Sequence, residues 1–247
     1  MKKQKIAKVK ILNVKVCKVT KQDVLTLIEN YIKIRGPHQI VTVNPEFIVC
    51  AQKDKEFAKV LNGADLALAD GYGVILASRL LKKPLPERII GTDLIYQIAP
   101  LACQKGWRIF LLGGEEGIAF KTYKILKKNY PKIKIVGQVP GDPHDLTIIK
   151  QIKKAKPDIL YVAWGAPKQD KWIAKFKQSL GVPVMMGVGG AFDYISGKVP
   201  RAPIFIRKIG MEWFYRLIIQ PWRWKRIFIA VFVFPYFFLK SQIKKTS

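Results

Sequence analysis

The sequence predicts an α/β protein: a Rossmann-like, mostly parallel sheet with helices on both faces, followed by a helical C-terminal membrane-targeting appendage. Three observations predict it. Short β-branched runs alternate with longer helical periods, the spacing of βαβ crossovers. Polar and glycine-rich exceptions fall just after the strands, on the edge where open parallel sheets bind ligands. After residue 197 the composition turns basic and aromatic. A chain of 247 residues, 49% of them hydrophobic, can bury a core over 1–197 and carry an appendage over 198–247.

Taken in order, "KVKILNVKV" (8–16) reads as one strand. Val24 to Ile32 reads as a helix with Leu25, Ile28 and Ile32 on one face. "QIVTV" (39–43) is a strand, and "PEFIVCAQKD" (45–54) opens a helix with Pro45 in its first turn. "LALA" (66–69) is a strand, followed by a helix from Val74 to Leu81. Thr92 is expected to cap a helix running to Lys105, which Gly106 terminates. "RIFLL" (108–112) is a strand, Gly113-Gly114 a turn, and Ile118 to Lys128 a helix. Then come a strand at "KIKIVGQV", a helix from Leu146 to Ala155, a strand at "DILYVAW", a helix from Gln169 to Gln178 and a strand at "VPVMMGV". His38 and His144 are assigned to loops.

The strand ends collect the candidate site. Thr42 and Asn44 stand at the second strand, Asp70-Gly71 after the third, and Gly113-Gly114 after the fourth. Gln169 follows the sixth, and Gly190 and Asp193 follow the last. Asp70, between a buried strand and a flexible turn, is placed as a general base should be; a turn-forming or capping aspartate is the alternative. Gly71-Tyr72-Gly73 is a poor dinucleotide fingerprint because Leu76 stands where a third glycine belongs. These glycines are expected to keep space clear beside the base. "LLGGEEGIA" (111–119) joins a strand to a helix and suits a phosphate or sugar better. Thr42 and Asn44 suit sugar hydroxyls or an acetamido group, with an Asn-Pro turn as the alternative. Gln169 has capping as its alternative, and Asp93 reads as a first-turn acid complementing a helix dipole. No Asp-x-Asp triplet occurs, so the carboxylate pair that commonly holds a divalent metal on a nucleotide diphosphate is missing. A reaction with no metal and no cofactor is expected, with arginines neutralising phosphate.

Charge and tail point to a polyanionic surface. Lys and Arg number 44 against 17 acidic residues, a formal net charge of +27. From Lys198 onward there are eleven Lys or Arg and one acid, Glu212, with Trp213, Phe214, Tyr215, Trp222 and Trp224 interleaved. "IFIAVFVFPYFFL" (227–239) reads as too short to cross a membrane, with Pro235 expected to bend it. Basic and aromatic residues beside a short apolar run suit a helix lying in the interface of an anionic membrane. Packing in the core or on another subunit is the alternative, and a homo-oligomer is compatible. Cys17, Cys50 and Cys103 form no disulfide or zinc pattern, and the basic start lacks a signal peptide's apolar region. A cytoplasmic protein at the inner membrane face is expected.

Several motifs occur together and in order: "TVNPEF", "ADLALADGYGV", "ERIIGTDL", "RIFLLGG", "YVAWGAPKQDKW", "GVGGAFDYISGKVPRAP" and "GMEWFYRLIIQPWRWKR". With them the chain resembles the WecG/TagA/CpsF family of bacterial glycosyltransferases from about Lys10 to Arg226. The resemblance implies transfer of a sugar from a UDP-sugar to a polyprenyl-diphosphate-linked acceptor. Its best-known form moves N-acetylmannosamine from UDP-ManNAc to GlcNAc-diphospho-undecaprenol with inversion, in wall teichoic acid synthesis. Other members use a UDP-ManNAc uronic acid or a UDP-hexose. By resemblance the base falls on Asp70, sugar-site residues on Thr42, Asn44 and Gln169, and appendage arginines on Arg216, Arg223 and Arg226. Two rivals come from the residues alone. Glycine turns in an α/β pattern suggest an NAD(P)-dependent oxidoreductase, which lacks a complete fingerprint. The charge suggests nucleic-acid binding, against which stands the hydrophobic run beside the basic tail.

Overall fold

The computed structural model describes residues 6–246. Lys8–Ile11 (β1) and Val14–Cys17 (β2) form an antiparallel hairpin, a small sheet of its own. The single strand expected over 8–16 is therefore two. The buried valines and isoleucines at 9, 11, 14 and 16 step by two, then three, then two. The step of three is the turn, where Leu12 takes a left-handed φ of 54°.

Lys21–Ile34 (α1) begins at a capping box in which Thr20 and Asp23 satisfy each other's backbone amides. The main sheet follows: His38–Val43 (β3), Leu66–Ala69 (β4), Arg108–Gly113 (β5), Lys134–Val139 (β6), Ile159–Ala163 (β7) and Val184–Gly187 (β8). All six strands run parallel in the order β4-β3-β8-β7-β5-β6. Between them lie Pro45–Lys53 (α2), Lys55–Gly63 (α3), Tyr72–Leu80 (α4), Gly91–Lys105 (α5), Ile118–Asn129 (α6), Thr147–Ala155 (α7) and Lys168–Leu180 (α8). Ala191–Ile195 (α9) follows β8.

The alternation of side chains shows that both faces are covered. Ile109, Leu111, Ile159, Tyr161, Val184 and Met186 join one apolar cluster. Phe110, Leu112, Leu160, Val162 and Met185 join another with Ile148 and Ile152 of α7 and Ile173 of α8. Strands buried on both faces have no polar side to show, which is why "LALA" and "ILYVA" are unbroken apolar runs.

Three local expectations change. Thr92 lies inside the first turn of α5, whose N-cap is Ile90, while Gly106 does close that helix in a left-handed conformation. Asp54 ends α2 and caps α3 by accepting from the Phe57 amide, so a second helix stands before β4. His38 opens β3 and stacks on Tyr31 at a centroid distance of 3.7 Å; His144 does lie in a loop.

The boundary at 197/198 falls between α9 and Ile204–Lys208 (α10). Glu212–Ile219 (α11) is followed by a 3-10 turn at Pro221–Arg223, then Trp224–Phe228 (α12), a π-helical turn at Ile229–Val233 and Phe234–Thr246 (α13). The helix runs through Pro235. That ring has no N–H to give and would crowd the Val231 carbonyl, and the wider π turn at this point accommodates it. Helical structure over Pro221–Ile243 spans 23 residues, long and apolar enough by composition to cross a membrane, unlike the shorter 227–239 run considered alone. Phe234 and Phe238 nevertheless reach into the main apolar cluster, which includes residues of α2.

Candidate active site

Above the carboxyl ends of β4, β3, β8 and β7 lies a cavity of about 790 Å³. Thr42, Asn44, Asp70, Gly114, Gln169, Gly190, Asp193, Arg216, Arg223 and Arg226 all line it. Residues expected at five strand ends and in the appendage are thus brought to one place. Gly113 is the exception. It is buried at the end of β5 with φ +102°, and a Cβ there would meet the Ala163 backbone at 2.9 Å. Its role is the close approach of β5 to β7, and Gly114 alone faces the cavity.

Asp70 is held by its backbone. Its N–H donates to the Val43 carbonyl at 2.9 Å, and Ile89 N–H donates to the Ala69 carbonyl at 2.8 Å, so the segments beside it continue the sheet's pairing. Burial pushes its carboxyl up to about 6, aided by the Glu212 carboxylate and opposed by Arg88, Arg216 and the Gly91 amide. A carboxylate with that pKa is ionised at neutral pH and still a useful proton acceptor. The glycines beside it do something other than expected. A Cβ on Gly71 would lie 2.3 Å from Pro45 Cδ, and one on Gly73 2.9 Å from Pro45 Cγ. The space they leave is filled by the β3–α2 turn, which packs against the start of α4.

Asn44 is half committed. Its Oδ1 accepts from the Phe47 amide at 3.0 Å as the N-cap of α2, while its Nδ2 has no protein partner among the described residues. Pro45 at the first helical position fits that cap. The buried Thr42 hydroxyl is also without a protein hydrogen bond there. Gln169 is fully buried, and its Oε1 accepts from both the Gly165 and Gly189 amides at 3.0 Å. It ties the loops after β7 and β8 together, so it shapes the cavity through backbone. Its neighbour Asp170, fully buried over Gly187, is pushed up to about 7 by burial.

The appendage supplies the charge. Arg216 donates to Glu212 at 3.0 Å and lies 4.9 Å from the Tyr194 ring centroid. Arg88 meets the other Glu212 oxygen at 3.4 Å. Arg226 Nε donates to both Glu46 oxygens, at 2.8 and 3.0 Å. Arg223 has no ion pair among the described residues. Burial, with Arg226 and Arg216 beside it, pushes its pKa down. Three of the four guanidinium groups thus share two glutamates and Arg223 pairs with neither, which leaves a concave site prepared for an anion. Arg88 and Glu212 went unrecognised in the sequence. Arg88 sits in the "ERIIGTDL" motif and Glu212 is the one acid of the appendage, yet only the fold shows that they bridge core and tail. Asp93 does lie in the first turn of α5, as expected, and also pairs with Arg201 at 2.6 Å. Among the described residues no group of three or more His, Cys, Asp or Glu side chains could hold a metal ion.

A buried carboxylate and an arginine-lined anion site in one cavity, over the carboxyl edge of a parallel sheet, form a layout suited to group transfer from a phosphorylated donor. Comparison with known proteins narrows that class. The chain belongs to the glycosyl transferase WecG/TagA/CpsF family, whose profile matches residues 9–247. It is 40% identical over 200 residues to the N-acetylglucosaminyldiphosphoundecaprenol N-acetyl-beta-D-mannosaminyltransferase of Bacillus subtilis (strain 168), covering 81% of this chain and 78% of that protein. It is 34% identical over 250 residues to the protein of the same name from Staphylococcus aureus (strain NCTC 8325 / PS 47), covering 98% and 96%. The protein is a glycosyltransferase.

Proposed function

We propose that the chain transfers N-acetylmannosamine from UDP-ManNAc to GlcNAc-diphospho-undecaprenol, with inversion and without a metal ion, at the inner face of the membrane. The observation that carries this is Asp70, poised near 6, in one cavity with the under-neutralised arginines. The relatives' names supply the sugar and acceptor. Asp70 takes the proton from the acceptor hydroxyl as that oxygen bonds to the anomeric carbon. On the opposite face the bond to UDP breaks, and its electron pair leaves on the diphosphate. Arg223, with Arg216 and Arg226, stabilises the charge that develops there. The Asn44 amide and Thr42 hydroxyl have hydrogen-bonding capacity to spend on the sugar; Gln169 and Gly114, Gly190 and Asp193 complete the walls. Wasteful hydrolysis of the donor is limited because Arg216, Arg223 and Arg226 join the site only when the appendage is docked.

The test is a donor panel with a GlcNAc-diphospho-lipid analogue, run with and without EDTA. UDP-ManNAc is expected to be the best donor, at a rate EDTA leaves unchanged. Preference for a UDP-ManNAc uronic acid or a UDP-hexose would overturn the donor, and a rate abolished by EDTA would overturn the arginine-only account.

A further inference from the structure

The cavity has two halves of opposite character, and a sugar nucleotide accounts for only one. The second half begins just after the base. Helix α4 buries Val74, Ile75, Ala77 and Ser78 and leaves Tyr72, Leu76 and Leu80 exposed at 47%, 49% and 60%. At spacings of four residues these three form one stripe about 12 Å long, leading away from Asp70. Opposite stand Ile227, Ala230, Val231 and Pro235, spaced to share a face of the tail helix. Tyr72 and Leu76 line the same cavity as these four residues and Asp70. The Tyr72 ring lies against Gly210 and the Phe234 ring against Gly73, which brings the appendage close to the start of α4. Leu80 continues the stripe on the exposed face of α4, beyond the residues that line the cavity.

We propose that this groove between α4 and the tail helix binds the first isoprene units of the lipid-linked acceptor. The inference rests on the proposed acceptor and places its hydrocarbon. A diphosphate ester of an isoprenoid is polar at one end and apolar at the other, in the order of the cavity's arginines and its Leu76 wall. A UDP-sugar offers an apolar wall only the face of its uracil, too little to cover a stripe of three residues, and a stripe this exposed is unfavourable unless something covers it. Part of the hydrophobic binding free energy then falls within the enzyme, so the acceptor is selected by its chain as well as by its sugar.

The experiment uses two soluble acceptors, GlcNAc diphosphate esters of a single isoprene and of farnesyl, below micelle-forming concentrations and without membranes. The full chain is expected to prefer the farnesyl ester by at least about tenfold in kcat/KM, mostly through KM. Leu76→Asn and Ala230→Trp, which respectively wet and fill the groove, should bring that ratio toward one. No chain-length preference in the unmodified protein would overturn the groove. So would an equal loss on both acceptors, or a change confined to vesicle binding or oligomeric state, which would assign the stripe to a bilayer or a second copy. If neither ester is glycosylated with any UDP-sugar, the acceptor assignment fails separately. Quenching of the cavity's Trp213 by farnesyl diphosphate, weakened in Leu76→Asn, would still support the groove, and its absence would reject it.

Discussion

The raised pKa that suits Asp70 to its proposed role as base comes at the expense of stability. Its pKa rises from 3.8 to about 6 on folding, so the folded chain holds a proton that the unfolded chain releases. Stability is therefore expected to fall as pH rises from about 4 to 6, and the penalty stays constant above that. Asp70→Asn should lose about 10²–10⁴ in kcat. Its melting temperature should equal or exceed the parent's at pH 7.5, with a smaller gain at pH 4.5. A variant that melts well below the parent at both pH values would mean that the carboxylate is structural. Asp70 stood out in the sequence because it ends an apolar run. The neighbouring glycines misled, because sequence shows that a Cβ is missing but not which atom would meet it. At Gly71 that atom belongs to Pro45, distant in sequence until β3 and β4 pair.

Helix α11 carries one acid, Glu212, and that acid couples the appendage to the base. It holds Arg88 of the core and Arg216 of its own helix, with its carboxylate 15% exposed, and it helps raise Asp70. Glu212→Gln removes a negative charge near Asp70 and frees two guanidinium groups. Both effects favour the ionised base. The acid limb of the kcat/KM profile, set by Asp70 near 6, is expected to move to lower pH; a limb left in place would show that Glu212 does not act on the base. Elements were legible where apolar periodicity was unbroken: β3, β4, β5, β7 and β8 all appear where their runs predict. The hairpin β1–β2 was merged and α3 missed because each is marked by one short interruption, Asn13 or Asp54, inside an apolar pattern. The length of the tail helix was also hidden. A proline rule counts one lost hydrogen bond, whereas the π turn at Ile229–Val233 supplies a backbone that tolerates it.

For the molecule as a whole, a net charge of +27 and an apolar face at Phe228, Phe232, Tyr236 and Leu239 suit the proposed association with an anionic bilayer. Co-sedimentation with vesicles rich in anionic lipid should exceed that with neutral vesicles at low salt. The excess should shrink as salt approaches 1 M, where the Debye length is about 3 Å. Equal binding to both vesicle types at low salt would remove electrostatics from the account. The sequence by itself determined the α/β class, the loop edge that lines the cavity with Asp70 on it, and the basic aromatic tail, because each is written in local period or composition. Tertiary structure decided which of these residues meet. It turned Gln169 and Gly113 inward to hold loops, paired Arg226 with Glu46, and set the tail helix across from α4. Those outcomes depend on through-space distances between segments far apart in the chain, and a periodic pattern contains no record of such distances.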